Sequence, residues 1–194
     1  MDRPWLETDR LVIRLLEPSD HELWSRTLRR LPPAKTPWED GPMTPDEALE
    51  EEFDALIDRR RIAAESGSDY YLSAFTRDGE ALVGEVHLMD VSRRIFQNAY
   101  LGYVVYAPSR RQGYAREACA GAIELAFGPL GLHRVEAGIE QENVASLAVA
   151  RSLGMRLEGT SERRIFLRDG WRDMTLWALT AEEFPACLER GSPP

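Results

Sequence analysis

The segment Arg110-Arg111-Gln112-Gly113-Tyr114-Ala115 carries the residue types of an anion-binding turn. It follows an apolar stretch at 98–106 that Pro108 terminates, and it leads into a helical pattern from about 115 to 127. At such a helix start the first backbone N–H groups lack intrahelical partners and sit at the positive end of the helix dipole. They are therefore free to hold a phosphate or carboxylate. Gly113 and Ala115 let a ligand approach the backbone, and Arg110 and Arg111 add positive charge. The Gly-Lys-Ser/Thr triplet of a P-loop is absent, and only one of the three glycines of a dinucleotide fingerprint is present. A lone glycine in a strand-to-helix turn also serves structure alone, so its surroundings have to decide.

Those surroundings read as mixed α/β. Residues 10–16 form an expected strand that Pro18 ends. Ser19 and Glu22 have capping-box spacing, which predicts a helix that turns Leu23, Trp24 and Leu28 inward. A Pro-rich loop spans 31–43. Thr44 at an N-cap, Pro45 at the first helical position and Glu47 at the third predict a second helix starting there. Leu49, Phe53, Leu56 and Ile57 recur in it at helical spacing. Its outer face is acidic, and Arg59-Arg60-Arg61 are expected to balance that acidity near its end. Strands follow at 70–77 and 81–90, turned by Asp78-Gly79. Next come the strand at 98–106, the helix after the anion turn and a strand at 133–140. Asn143 then caps a helix that ends at Gly154. A final hairpin, 156–167 and 171–180, turns at Asp169-Gly170. There is no repeat and no linker, so 1–194 reads as one domain with a largely antiparallel sheet flanked by helices.

Composition narrows the function. A chain of 194 residues with 43% hydrophobic and 29% charged residues can bury a core. No apolar run is long enough for a membrane span. The first residues, MDRPWLETDR, have no secretory pattern, so a cytoplasmic location and no membrane partner are expected. The net charge of −9 argues against nucleic acid as the ligand and suits a cationic substrate such as an amine. The two cysteines, Cys119 and Cys187, lie far apart and suggest neither a disulfide nor a metal site. Cys119 reads as a buried helix residue.

Taken together, the segments resemble the GNAT N-acetyltransferase superfamily, in particular its RimJ/RimL-like branch that acetylates ribosomal-protein N-termini. The resemblance runs through LETDRLVIRLLEPSD, LVGEVHL, LGYVVYAPSRRQGYAREA, AFGPLGLHRVEAGIEQENVASLAVARSLGMRLEGT and DGWRDMTLWAL, in order along nearly the whole chain.

The resemblance implies a GNAT fold with a splayed central strand pair, and acetyl-CoA as co-substrate with no metal. The pantetheine arm would pair with the strand at Tyr103, Val104 and Val105. The N–H groups of Arg111, Gln112, Gly113, Tyr114 and Ala115 would hold the pyrophosphate. Asn143 would lie beside the coenzyme arm, and Ser146 would face its sulfur as donor to the leaving thiolate. The bland alternatives are a helix cap for Asn143 and a first-turn hydroxyl bonded to backbone for Ser146. Three places depart from the family pattern, one of them around Ile165 and Phe166, where the N-terminal-acetylating branch can place a Glu. Tyr100 stands where relatives often carry a Glu, and Ala150 where many carry a Tyr. Glu85 and His87, which share one face of the strand at 81–90, then become the candidate bases. A water chain could replace a side-chain base. The implied acceptor is a primary amine, foremost a protein N-terminus. The alternatives are a small amine (amino sugar, polyamine or antibiotic) or a coenzyme-binding regulator without catalysis. Relatives of this kind are monomers or homodimers.

Overall fold

A computed structural model describes residues 6–167 and 170–184. The chain begins with β1 (Leu6–Glu7) and β2 (Leu11–Arg14), followed by α1 (His21–Arg29) and α2 (Glu50–Ser66). A meander of β3 (Tyr70–Thr76), β4 (Leu82–Ser92) and β5 (Asn98–Val105) comes next. Then follow α3 (Tyr114–Phe127), β6 (Arg134–Ile139), α4 (Val144–Ser152), β7 (Arg156–Leu167) and β8 (Gly170–Thr180). All eight strands join one sheet in the order β1-β2-β3-β4-β5-β6-β8-β7. Every neighbouring pair is antiparallel except β5 with β6. This is the expected mixed, largely antiparallel architecture, with β1 as an added short strand. Asp169 of the last expected turn and Cys187 lie outside the described residues.

Period-2 patterning sets the main core. On β6, Val135, Ala137 and Ile139 are buried while their neighbours are less so. They meet the apolar side of α3, where Cys119, Ala122, Ile123 and Ala126 have no exposed surface. Burial pushes the Cys119 thiol up, which leaves it a protonated core residue. A second cluster lies under α1 and α2. There Trp24 packs on Phe53 with ring centroids 4.8 Å apart, together with Leu28, Phe75, Leu82 and Tyr106. Burying a side chain such as Phe53 contributes about 2–3 kcal/mol.

Three local expectations change. The first helix is not capped by Ser19 and Glu22. α1 has no side-chain cap, and the box forms one turn earlier between Glu17 and Asp20: the Asp20 carboxylate accepts the Glu17 N–H at 2.8 Å and both Arg14 guanidinium nitrogens at 2.6 and 2.7 Å. The Thr44–Glu47 box does form, with Thr44 donating to the Glu47 carboxylate at 2.8 and 2.7 Å. It closes only a turn, however, and α2 starts at Glu50 after an extended, exposed Leu49. Lastly, α2 ends at Ser66 and left-handed Gly67, where Ser66-Gly67-Ser68 is expected to break it, but Arg59-Arg60-Arg61 do not act as one group balancing its acidic face. Arg61 bonds Asp58 and Glu65 on its own helix, whereas Arg60 reaches into the sheet.

The sheet parts at its centre. β5 and β6 pair only from Asn98 with Arg134 to Tyr100 with Glu136. Beyond that point β5 stays on β4 as far as Val105 opposite Gly84, while β6 stays on β8 as far as Ile139 opposite Thr175. Each strand keeps its outer partner, so a wedge opens between them. The edge of β5 from Leu101 to Val105 faces that wedge with backbone groups that make no ladder to β6.

Candidate functional site

The wedge contains a cavity of about 170 Å³. Leu101, Gly102 and Tyr103 of β5 form one wall, and Ala137, Gly138 and Ile139 of β6 the other. Asn143, Ser146 and Ala150 close it from α4 and its cap, and Trp38 reaches in from the long loop before α2. Asn143 Oδ1 accepts the Ser146 N–H at 3.1 Å, so Asn143 is an N-cap and at the same time fixes the first turn that carries Ser146. The Tyr103 hydroxyl donates to Ser146 Oγ at 3.0 Å. Burial raises the Tyr103 phenol to about 12, against the smaller opposing effect of its bond to Ser146. It therefore holds its proton at neutral pH and serves as a donor.

At one end of the wedge stands the turn at 110–115. Gly113 is the N-cap of α3 with φ +82°, and Arg111 has φ +60°. Left-handed residues of this kind turn successive N–H groups toward one side, which makes an anion-binding concavity at the helix terminus. The concavity is braced from the β1–β2 turn. Arg10 donates to the Gln112 carbonyl at 2.8 Å, pairs with Glu117 at 2.6 Å and lies over the Tyr114 ring at 4.5 Å. Arg110 turns elsewhere, donating to the Val105 carbonyl at 2.9 Å and to Glu39 at 2.6 Å. It ties the end of β5 to the loop before α2. A free β5 edge beside a ring of helix-start N–H groups fits a ligand that has an amide-bearing arm at one end and phosphates at the other.

A second cavity, of about 410 Å³, opens on the α1–α2 side of the sheet. Asp40, Glu47, Arg60, Glu85 and Tyr106 lie on its wall. Glu85 is 7% exposed and accepts two bonds from Arg60, each 2.9 Å, and one from His87 Nε2 at 3.0 Å. Burial pushes its carboxyl up, but the His87 bond and the Arg60 charge outweigh this and hold it at about 2. Such a carboxylate is a poor proton acceptor near neutrality. The ionised oxygen fixes the His87 proton on Nε2, and the ring packs edge-on against Tyr71 at 5.0 Å. His87 lines neither cavity. Val104 and Arg110 line a narrow space between the second cavity and the turn.

The structure thus brings Asn143 and Ser146 together on the wedge, with Val104, Val105 and the turn at its rim. Glu85 and His87 lie apart as an ion-paired cluster. Sequence reasoning named Tyr103 for its backbone alone and missed its hydroxyl, and it missed Trp38, Glu140 and the pairing of Arg60 with Glu85. Only Tyr103 had a local signal: it follows Gly102 on a strand already read as facing a ligand.

The splayed parallel pair, the anion turn at its end and the N-capped helix across it define a class of coenzyme-dependent transferase. Residues 10–156 match the Acetyltransferase (GNAT) domain family, and the chain belongs to it. It is a GNAT N-acetyltransferase, of a family that uses acetyl-CoA. A probable N-acetyltransferase YjcK of Bacillus subtilis is 30% identical over 115 residues; that stretch is 59% of this chain and spans 64% of that relative's length. The [ribosomal protein uS5]-alanine N-acetyltransferase of Escherichia coli is 27% identical over 180 residues, 92% of both chains. The structure of Mycobacterium smegmatis RimJ in complex with CoA-disulfide superposes with a TM-score of 0.75 at 28% identity, covering 90% of this chain and 84% of that one. Among the described residues, no helix is long and apolar enough to cross a membrane.

Proposed function

We propose that this enzyme acetylates the α-amino group at a protein N-terminus. The observation that carries this reading is the wedge itself. The cavity between β5 and β6 holds the Tyr103–Ser146 hydroxyl pair, and a turn with two left-handed residues starts the helix that follows β5. The similarity over nearly full length to an enzyme whose printed activity is alanine N-acetylation of a ribosomal protein supports the same acceptor class.

Bound acetyl-CoA supplies the activated acetyl thioester. The N–H groups of Arg111 to Ala115 hold its phosphates, and the β5 edge at Tyr103, Val104 and Val105 aligns its arm and offers an N–H to the thioester carbonyl. Ser146 stands at the sulfur end. Tyr103 donates to Ser146, which orients the serine proton outward and stabilises the thiolate as it departs. The protein's main contribution is to place the amine against the carbonyl carbon and to provide donors that do not reorganise.

A small polycationic amine is the second reading. It is favoured by the carboxylates Asp40 and Glu47 on the wall of the second cavity.

Thiol release with acetyl-CoA decides between them when a panel of N-terminal peptides and spermidine are offered side by side. Turnover confined to peptides supports the N-terminal reading, and turnover confined to spermidine replaces it with the second. Ser146→Ala and Tyr103→Phe are each expected to lower kcat by about tenfold. The double variant should fall little further, because the two hydroxyls act as one chain. Equal rates in wild type and both single variants would remove this pair from the chemistry.

A further inference from the structure

Two polar atoms on the wedge are buried without a hydrogen-bond partner among the described residues: Glu140 Oε2 and Trp38 Nε1. Both residues line the same cavity. One is an acceptor and the other a donor, and each loses roughly 1–3 kcal/mol by being left unmet. A buried carboxylate at 5% exposure is unusual unless something completes it.

Glu140 is held firmly. It follows the last residue of β6, where the Ile139 carbonyl accepts the Thr175 hydroxyl at 2.6 Å. Thr175 in turn accepts the Trp177 indole N–H at 2.9 Å. The Glu140 carbonyl accepts the Asn143 N–H at 3.0 Å, which joins it to the cap that carries Ser146. Its Oε1 lies 3.3 Å from Arg172 Nε of β8. That ion pair engages Oε1 and leaves Oε2 without a partner on the cavity side. Tyr103 of β5 is the other titratable side chain on the cavity wall; the groups from α4 and the loop, Ser146, Asn143 and Trp38, do not titrate near neutrality.

We infer that Glu140 Oε2 is the group that receives the acceptor ammonium and takes its proton, with the Trp38 indole N–H donating to a carbonyl of the same acceptor. This rests on the amine-acetylation reading above and places the base in the wedge, whose lining includes neither Glu85 nor His87. An ammonium must lose a proton before its nitrogen can attack. Glu140 accepts that first proton. The nitrogen then forms the C–N bond to the acetyl carbon as the C–S bond breaks with its electron pair on sulfur. The second proton lost by nitrogen ends on sulfur through the Ser146 and Tyr103 hydroxyls, and Glu140 releases the first to solvent. The sum is an amide, a thiol and one proton. A donor for a carbonyl beside an acceptor for an ammonium suits the first residue of a peptide, and a polyamine offers only the second.

The test has two arms. In the first, a short peptide with a free N-terminal alanine is titrated calorimetrically into the protein without coenzyme. Glu140→Gln is expected to weaken its binding about tenfold and to leave CoA binding and the melting temperature near wild type. In the second, kcat should fall about 100-fold in Glu140→Gln. The rate is expected to rise with pH in wild type and to rise less in Glu140→Gln, and Glu140→Asp should recover part of the loss. A Glu140→Gln variant with wild-type peptide affinity, rate and pH profile would overturn the inference. If the wild type acetylates no amine while peptide affinity still depends on Glu140, the inference survives as a binding role and the acetylation reading is what fails.

Discussion

Arg60→Ala should destabilise the folded chain by about 3–5 kcal/mol, because it strips the partner from a buried carboxylate. The Arg60 and Glu85 side chains are 13% and 8% exposed, and without the guanidinium Glu85 loses both of its 2.9 Å bonds and its charge partner while the His87 bond remains. Chemical denaturation at pH 7 measures the loss. Arg60→Ala with Glu85→Gln should recover much of it, since no charge is then buried. The effect has a defined pH dependence. Glu85 is held at about 2 in the folded chain, against an ordinary value of 4.5. A depressed folded-state value stabilises above the unfolded value and ceases to do so as pH falls toward the folded one. The wild-type advantage over Arg60→Ala is therefore full above about pH 5 and shrinks between about 4.5 and 2. A deficit that stays constant over that range would show that the pair is not the source.

Gly84→Ala should cost about 3 kcal/mol, a fall in melting temperature of roughly 6–12 °C for a chain of this size. A Cβ at Gly84 would lie 2.1 Å from the Val104 carbonyl oxygen and 3.0 Å from Val105 Cα. Both are backbone atoms of β5, so no side-chain rotation relieves the clash. Gly84 pairs with Val105 at the last rung that holds β5 to β4. Pushing β5 away there displaces the edge that faces the wedge, so CoA affinity should fall along with stability. Differential scanning calorimetry and a CoA titration check the two together. An alanine variant with unchanged melting would mean that β4 and β5 can separate freely at this rung.

Most of the sheet was legible in the sequence because its signals are local. Asp78-Gly79 turns a hairpin, Pro108 ends β5 and alternation marks β6, each within a few residues. The glycine turn that starts α3 was legible for the same reason, and so was the cap at Asn143. The misread starts of the first two helices share another cause. Asp20 displaces the Ser19 box because Arg14, on a strand, holds its carboxylate. At the second helix, the Ala48 carbonyl is engaged by His21 Nε2 of α1 at 3.0 Å, and the chain restarts only at Glu50. Long-range partners override local capping in both places.

The candidate site divides along the same line. The turn at 110–115 could be named from its own residues, and the β5 edge from the resemblance. The side chains that complete the chemistry could not, because they converge from separate elements. Tyr103 meets Ser146 across the wedge, Trp38 arrives on a long loop, and Glu140 is placed by β8. Glu85 and His87 shared a strand face as expected, but the chemistry of that face was decided by Arg60, from a helix whose arginines had been assigned to balancing its own acidity.

The central claim is that the wedge between β5 and β6, with the turn at its rim, is the coenzyme site. Backbone amide NMR during a CoA titration tests it most directly, since each N–H reports its own contact. The largest shifts should fall at Arg111 to Ala115 and along Leu101 to Val105, with smaller ones at Asn143 and Ser146. Shifts concentrated elsewhere, or none at millimolar CoA, would contradict it.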